Sequence, residues 1–205
     1  MKTELSPRKR PQQRRAVATV EAILEAASQV LVERGHAGMT TTRVAERSGV
    51  SVGSLYQYYP SKDALLVALL DRKLQRMVAA IEAATARTRG RPFAERARAI
   101  VEAVFVVKSA DPALTVALAE CPPQLGGKQL LQNQLRPIVA LLRRLLDEHA
   151  AELRVADPDL CAWMMVHAIN GVVDAAALEP ARLRSRATRE AAVQLVNAFV
   201  AGPPV

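Results

Sequence analysis

The chain reads as an all-helical protein of two unequal parts, a basic N-terminal module followed by a longer, charge-balanced one. Three observations predict this. Apolar residues recur at intervals of three and four rather than two, and Ala, Leu, Arg and Glu dominate, a combination that favours helices over strands. Half of the 205 residues are apolar, enough to fill a sizeable core at this length. The net charge of +8 is unevenly held: residues 1–91 carry 16 Lys and Arg against 8 Asp and Glu, whereas residues 92–205 carry 12 against 12. A basic segment joined to a neutral one suits a module that meets a polyanion and a second module with another task. A merely soluble basic surface would have the same charge.

The elements follow in order. Val17, Val20, Leu24, Ala27 and Leu31 form an apolar stripe that predicts a helix over 17–34, closed by Gly35. Thr40 or Thr41 caps a short second helix ending at Gly49, and Ser51 caps a third through Tyr58, because hydroxyl side chains satisfy the free N–H groups of a first turn. Pro60 and Ser61 break the chain and start a long fourth helix with Asp63 in its first turn and Leu65, Leu66, Leu69 and Leu70 on one side. Further helices are expected over 93–109, 112–120, 128–152, 158–178 and 188–201. They are separated at Asp111-Pro112, Cys121-Pro122-Pro123 with Gly126-Gly127, Asp157-Pro158 and Glu179-Pro180. This divides the chain into a basic arm over 1–15, a small three-helix domain over 16–62 and a helical domain over 63–205.

Several classes of activity find no support. Cys121 and Cys161 stand far apart without a CxxC pair, so neither a disulfide framework nor a zinc site is indicated. His36, His149 and His167 lack HExxH spacing, and no GxSxG occurs. Gly126-Gly127-Lys128 resembles a phosphate loop, but Pro122 stands where its first glycine is required. The chain is therefore not expected to be an enzyme, and no cofactor or metal is expected. No apolar run approaches the roughly 18 residues of a membrane span, and the basic N-terminus lacks the apolar stretch of a signal peptide. A cytoplasmic protein without membrane attachment is the expectation.

All three tyrosines fall within residues 48–62, and this stretch is chemically demanding. Two short capped helices joined at Gly49 match a helix-turn-helix, whose second helix enters the DNA major groove. Ala45 is small where the helices cross, Gly49 supplies a left-handed turn, and Val44, Val50 and Leu55 close a small core. Val52, Gly53 and Ser54 then begin the reading helix. Tyr56 and Tyr58 can lie along the groove and offer hydroxyls to phosphate, and Gln57 can reach a base or a phosphate. Tyr59, beside the Pro60 break, reads as core.

The stretch T-T-T-R-V-A-E-R-S-G-V-S-V-G-S-L-Y-Q-Y-Y-P-S-K, preceded by A-I-L-E-A-A-S-Q-V-L-V-E-R-G, resembles the DNA-binding domain of the TetR/AcrR family of bacterial transcriptional regulators over about residues 16–70. The resemblance implies a homodimer of all-helical subunits on a palindromic DNA operator, repressing until a small molecule occupies the C-terminal domain. It maps DNA contact onto Thr41, Thr42 and Arg43, onto Val52, Gly53, Ser54, Tyr56, Gln57 and Tyr58, and onto Lys62 as a phosphate clamp. Ahead of it, Arg8, Lys9, Arg10, Arg14 and Arg15 form a basic arm that can follow phosphates or enter a narrowed minor groove. A solvated tail would have the same composition.

The C-terminal half carries weaker signals. Its last two helices hold Ala162, Ala168, Gly171, Ala175 and Ala176, small enough for close helix packing, and the resemblance implies that this pair dimerises with its symmetry mate. The resemblance also implies a ligand cavity, for which Phe105, Leu118, Gln134, Leu141, Trp163 and His167 are candidates, although core packing accounts for each of them. Met164 and Met165 suit a largely apolar effector. The alternative is a DNA-binding protein whose C-terminal half only dimerises or meets a protein partner, without sensing a ligand.

Overall fold

The computed structural model describes residues 14–120 and 127–201, with side chains over 16–120 and 135–200. The described chain is helical throughout, with no strand among the described residues. The described residues form two compact units, one from those through Lys73 together with 116–120 and 127–130, the other from Leu74–Thr115 and 131–201. The division falls inside the fourth helix rather than at residue 62. The basic arm with its Arg8, Lys9 and Arg10, the side chains of Arg14, Arg15 and Gln134, and the Cys121-Pro122-Pro123 break lie outside the described residues.

In the first unit α1 (Arg14–Gly38), α2 (Thr41–Ser48), α3 (Val52–Tyr58) and the start of α4 (Lys62–Arg87) follow one another. The predicted caps form. Thr40 Oγ1 accepts from the Arg43 N–H at 3.2 Å, and Ser51 Oγ from the Ser54 N–H at 3.0 Å. Ser61 Oγ accepts from the Ala64 N–H at 3.1 Å. Gly49 lies at φ 70°, ψ 19°, which only glycine adopts at little cost, and this brings the Val50 N–H back to the Ala45 carbonyl at 3.1 Å. Gly35, at φ 64°, interrupts α1 before its last turn. Ile23, Leu31, Met39, Val44, Leu55 and Leu65 are each at most 1 % exposed and together form the core on which the two short helices α2 and α3 close. Each fully buried side chain of this size contributes about 1.5–3 kcal/mol. The predicted α1 stripe is rotated and shortened: Ile23, Ala26 and Val30 join the core, while Val17 is exposed.

The second unit contains the remainder of α4, α5 (Phe93–Ala110), most of α7 (Gly127–Glu148), α8 (Pro158–Ala177), α9 (Pro180–Arg184) and α10 (Arg186–Ala201). The short α6 (Pro112–Ala119) straddles the division. Its core runs from Ile81 through Phe105, Leu145, Val173 and Leu183 to Val193. Two buried cations sit at its edge, each held by carboxylates from elsewhere in the chain. Arg96 reaches Glu148 at 2.5 Å and His149 Nε2 at 3.2 Å, and His149 Nδ1 lies 3.0 Å from Glu152. Lys108 donates to Asp174, which also accepts from Asn170 at 2.8 Å. Burying a charge is tolerable only with such partners.

Two expectations change here. A ninth helix over Pro180–Arg184 follows the Glu179-Pro180 break. And α8 is, by length and composition, apolar enough to span a membrane, with mean hydropathy 1.4 over an 18-residue window. Cys161, Ala162, Met165, Val166, Ile169 and Val173 on it are buried in the unit's own core. Its apolar character is therefore that of a core helix which also has an apolar outer face.

Candidate nucleic-acid interface

The exposed side of α3 is built by its periodicity. Leu55 points into the core at 0 % exposure and Tyr59, just past the helix, at 3 %. Val52, Gly53, Tyr56 and Gln57, at positions i, i+1, i+4 and i+5, are left facing outward. Burial raises the Tyr59 phenol to about 12, as expected of a hydroxyl whose ionised form would lose its hydration. The Tyr56 ring, by contrast, is 42 % exposed.

The polar groups around this face are held by one another. Tyr56 OH and Thr41 Oγ1 share a hydrogen bond at 3.1 Å across α2 and α3. The Ser54 and Ser51 hydroxyls lie 2.8 Å apart. Arg43 Nη1 donates to the Gly38 carbonyl at 2.5 Å, and Lys62 Nζ to the His36 carbonyl at 3.2 Å. Both cations are thus anchored on carbonyls of the last turn of α1, beyond the Gly35 break, where a helix dipole favours positive charge. Arg47 and Glu33 form a two-pronged ion pair that ties the end of α2 to α1, and Arg47 accordingly holds the Glu33 carboxyl below the ordinary range. Thr42 is exposed and Tyr58 half-buried. Of the ten residues expected at DNA, Thr41 and Tyr56 are joined directly, and Val52, Gly53, Tyr56 and Gln57 share one helical face. The Glu33–Arg47 pair escaped sequence reasoning, because a gap of 14 residues carries no helical period.

Of the residues expected around a ligand, Gln134 has no described side chain, and within the second unit Phe105 and the Trp163–His167 pair stand in different settings. Phe105 is fully buried beneath the Arg189 guanidinium, 5.8 Å from its ring centre. Leu141 packs half-buried on the same core, and Leu118 belongs to the other unit. Trp163, 51 % exposed, stacks on His167 at 4.3 Å. These two face outward on α8 together with Leu160, Met164, Ala168, Gly171, Ala175 and Leu178, at successive steps of three and four. Ala162 and Ala176, grouped with them in the sequence, face the core instead. Beside this stripe Met164, Met165, Ala168, Ile169, Leu195 and Phe199 line an open apolar groove of about 180 Å³ between α8 and α10.

Comparison with known proteins agrees with these observations. Residues 23–69 match the family described as "Bacterial regulatory proteins, tetR family", and residues 92–199 match "Tetracyclin repressor-like, C-terminal domain". The chain is 35 % identical over 96 residues to the "HTH-type transcriptional repressor KstR" of Rhodococcus jostii, covering 47 % of this chain and 43 % of that protein. It is 39 % identical over 83 residues to the "HTH-type transcriptional activator FasR" of Mycolicibacterium smegmatis, covering 40 % and 37 %. The matches thus span less than half the length of these curated relatives. The crystal structure of "FadR from Bacillus subtilis in complex with stearoyl-CoA" superposes with a TM-score of 0.74 at 18 % identity, covering 88 % of this chain and 99 % of that one, which shows a shared fold. The capped helix-turn-helix and the helical C-terminal unit each fall under a matched family description, and the chain belongs to the TetR family of bacterial transcriptional regulators.

Proposed function

We propose that the protein binds an inverted-repeat DNA operator as a homodimer in the cytoplasm, represses transcription there and is released by a small, largely apolar molecule. The observation that carries this reading is the outer face of α8 and α10. Leu160, Trp163, Met164, Leu195 and Phe199 are each 41–52 % exposed on it. Contiguous apolar surface of this kind marks an interaction site. An isologous pairing of α8 and α10 with the same helices of a second copy covers both stripes at once. A dimer carries two α3 helices, which suits an inverted repeat with half-sites about 34–36 Å apart. Thr41, Thr42, Arg43, Tyr56, Tyr58 and Lys62 then meet phosphates, and Val52, Gly53, Ser54 and Gln57 face bases.

The effector reading draws on the acyl-CoA named for the Bacillus subtilis FadR and on the adaptable Met164 and Met165 beside the groove. The reading without an effector is favoured by one observation: Trp163 and His167 lie on the face that dimerisation would cover. Mapping the DNA bound by the full-length protein across a bacterial genome, with sedimentation of the free protein, tests the first part. Dimers on inverted repeats are expected, and monomers on single half-sites would overturn it. Titrating the mapped site with and without stearoyl-CoA tests the second. Coupling of about 1–3 kcal/mol would weaken operator binding roughly 5–150-fold, and unchanged affinity removes a long-chain acyl-CoA as the effector.

A further inference from the structure

The internal hydrogen bonds of the helix-turn-helix leave little of α3 free to read sequence, and what is left has a definite chemistry. Ser51 and Ser54 engage each other, and Ser51 also caps the Ser54 N–H. The Tyr56 hydroxyl is shared with Thr41. Leu55 is buried, and Tyr58 is half-buried at the far end with a single O–H to offer. Gln57 is exposed, and no hydrogen bond among the described residues engages its amide. Val52 is 36 % exposed. No Lys or Arg occurs on α3, so the commonest direct contact in the major groove, a bidentate cation on guanine, is not available to this helix.

A side-chain amide matches adenine, whose N6–H donates to the amide oxygen while the amide N–H donates to N7. An aliphatic tip matches the methyl group that thymine alone presents in the major groove. Val52 and Gln57 are five residues apart, about 7.5 Å along the helix, so both act within the same few base pairs. Between them, a Cβ on Gly53 would meet only Ser51 Oγ at 3.9 Å. Nothing inside the protein requires glycine there, although glycine destabilises a helix relative to alanine. Its bare backbone leaves room for the base edges to come close.

Resting on the DNA-binding reading above, we propose that Gln57 reads an adenine and Val52 a thymine methyl, so that each half-site is specified beneath α3 by A·T pairs. The test is selection by the full-length protein from DNA duplexes with a randomised core, repeated with Gln57→Ala and Val52→Ala. Both residues are exposed, so thermal melting serves as the check that the variants fold. At one A·T position, exchange for G·C should weaken wild-type binding about 10–100-fold and barely affect Gln57→Ala. At a second, replacing thymine by uracil, which removes only the methyl, should weaken wild-type binding about fourfold and leave Val52→Ala unchanged. A Gln57-dependent position that selects G·C, or identical preferences in all three proteins, would overturn the proposal. Absence of any enriched sequence would overturn the DNA-binding reading itself, and the proposal with it.

Discussion

The outward faces of α3 and of α8 are both unpartnered within one chain, yet they are prepared differently. On α3 and the adjoining turns the hydroxyls and cations are already engaged, Tyr56 with Thr41, Lys62 with the His36 carbonyl and Arg43 with the Gly38 carbonyl. On α8 the stripe is apolar or small, from Leu160 to Leu178, with His167 its one titratable member. The first face has the preorganised donors suited to a polar, charged partner; the second has the surface of a core that lacks its other half. Each carries a glycine, Gly53 or Gly171, at which an added Cβ would meet no other group closer than 3.9 Å. Neither glycine is required by the packing of its own chain. The difference teaches that a free face is recognised by how its groups are left: polar groups already held in place in one case, apolar groups without cover from water in the other.

That contrast can be broken at Gly171. Gly171→Glu should leave the protomer folded, since the position is open, and place an uncompensated charge from each copy in the interface. A cost of roughly 3–5 kcal/mol would leave monomers by sedimentation at concentrations where the wild type is dimeric, and an unchanged mass would remove α8 from the interface. Trp163→Ala should weaken dimerisation by about 2 kcal/mol, read from the concentration dependence of the same experiment. On the polar face, Lys62→Ala should reduce the slope of log affinity against log salt by about 0.9 and weaken all DNA sequences alike. A loss confined to one sequence would mean that the ammonium reads a base. Gly53→Ala separates the two kinds of face most cleanly: the protein should gain about 0.5–1 kcal/mol in thermal stability while binding its operator less well. A variant that is both more stable and fully active would show that nothing approaches α3 at that point.

An effect confined to alkaline pH concerns Tyr59. Its phenol is raised to about 12 by burial, so its contribution to stability is fully present below the ordinary value near 10. It is lost as pH rises from there through about 12. Tyr59→Phe should remove this alkaline component from a pH titration of unfolding and leave DNA binding at neutral pH unchanged.

The helix-turn-helix is legible in the sequence because its chemistry is local. Thr40, Gly49 and Ser51 each declare a helix end within four residues, and both ends of α2 and the start of α3 fall where they predict. The second unit is legible as helices but not as faces. Ala162, Ala168, Gly171, Ala175 and Ala176 are alike in size, and only the placement of neighbouring helices decides that Ala162 and Ala176 are buried while the others face out. Burial of Arg96 and Lys108 has no sequence signal at all, because their carboxylate partners lie 52 and 66 residues away. The five-residue α9 is too short to show a period. The outer stripe of α8 is present as the steps of three and four from Leu160 to Leu178, but Trp163 and His167 fit a cavity wall as readily as an outer face, because polar-tipped aromatic residues suit either setting.

The pairing of α5 with α10 has a consequence for how the chain acquires its structure. Arg98 and Glu190, joined at 2.8 Å, are 92 residues apart in sequence, whereas Thr41 and Tyr56 are separated by 15 and Lys62 and His36 by 26. Closing larger loops costs more entropy, and chains rich in distant contacts fold more slowly. On a ribosome, the helices around α3 can therefore assemble as soon as they emerge, while α5 holds apolar surface open until nearly the last helix has been made. Refolding from denaturant should then show a fast phase reported near α3 and a slower one reported by the single Trp163.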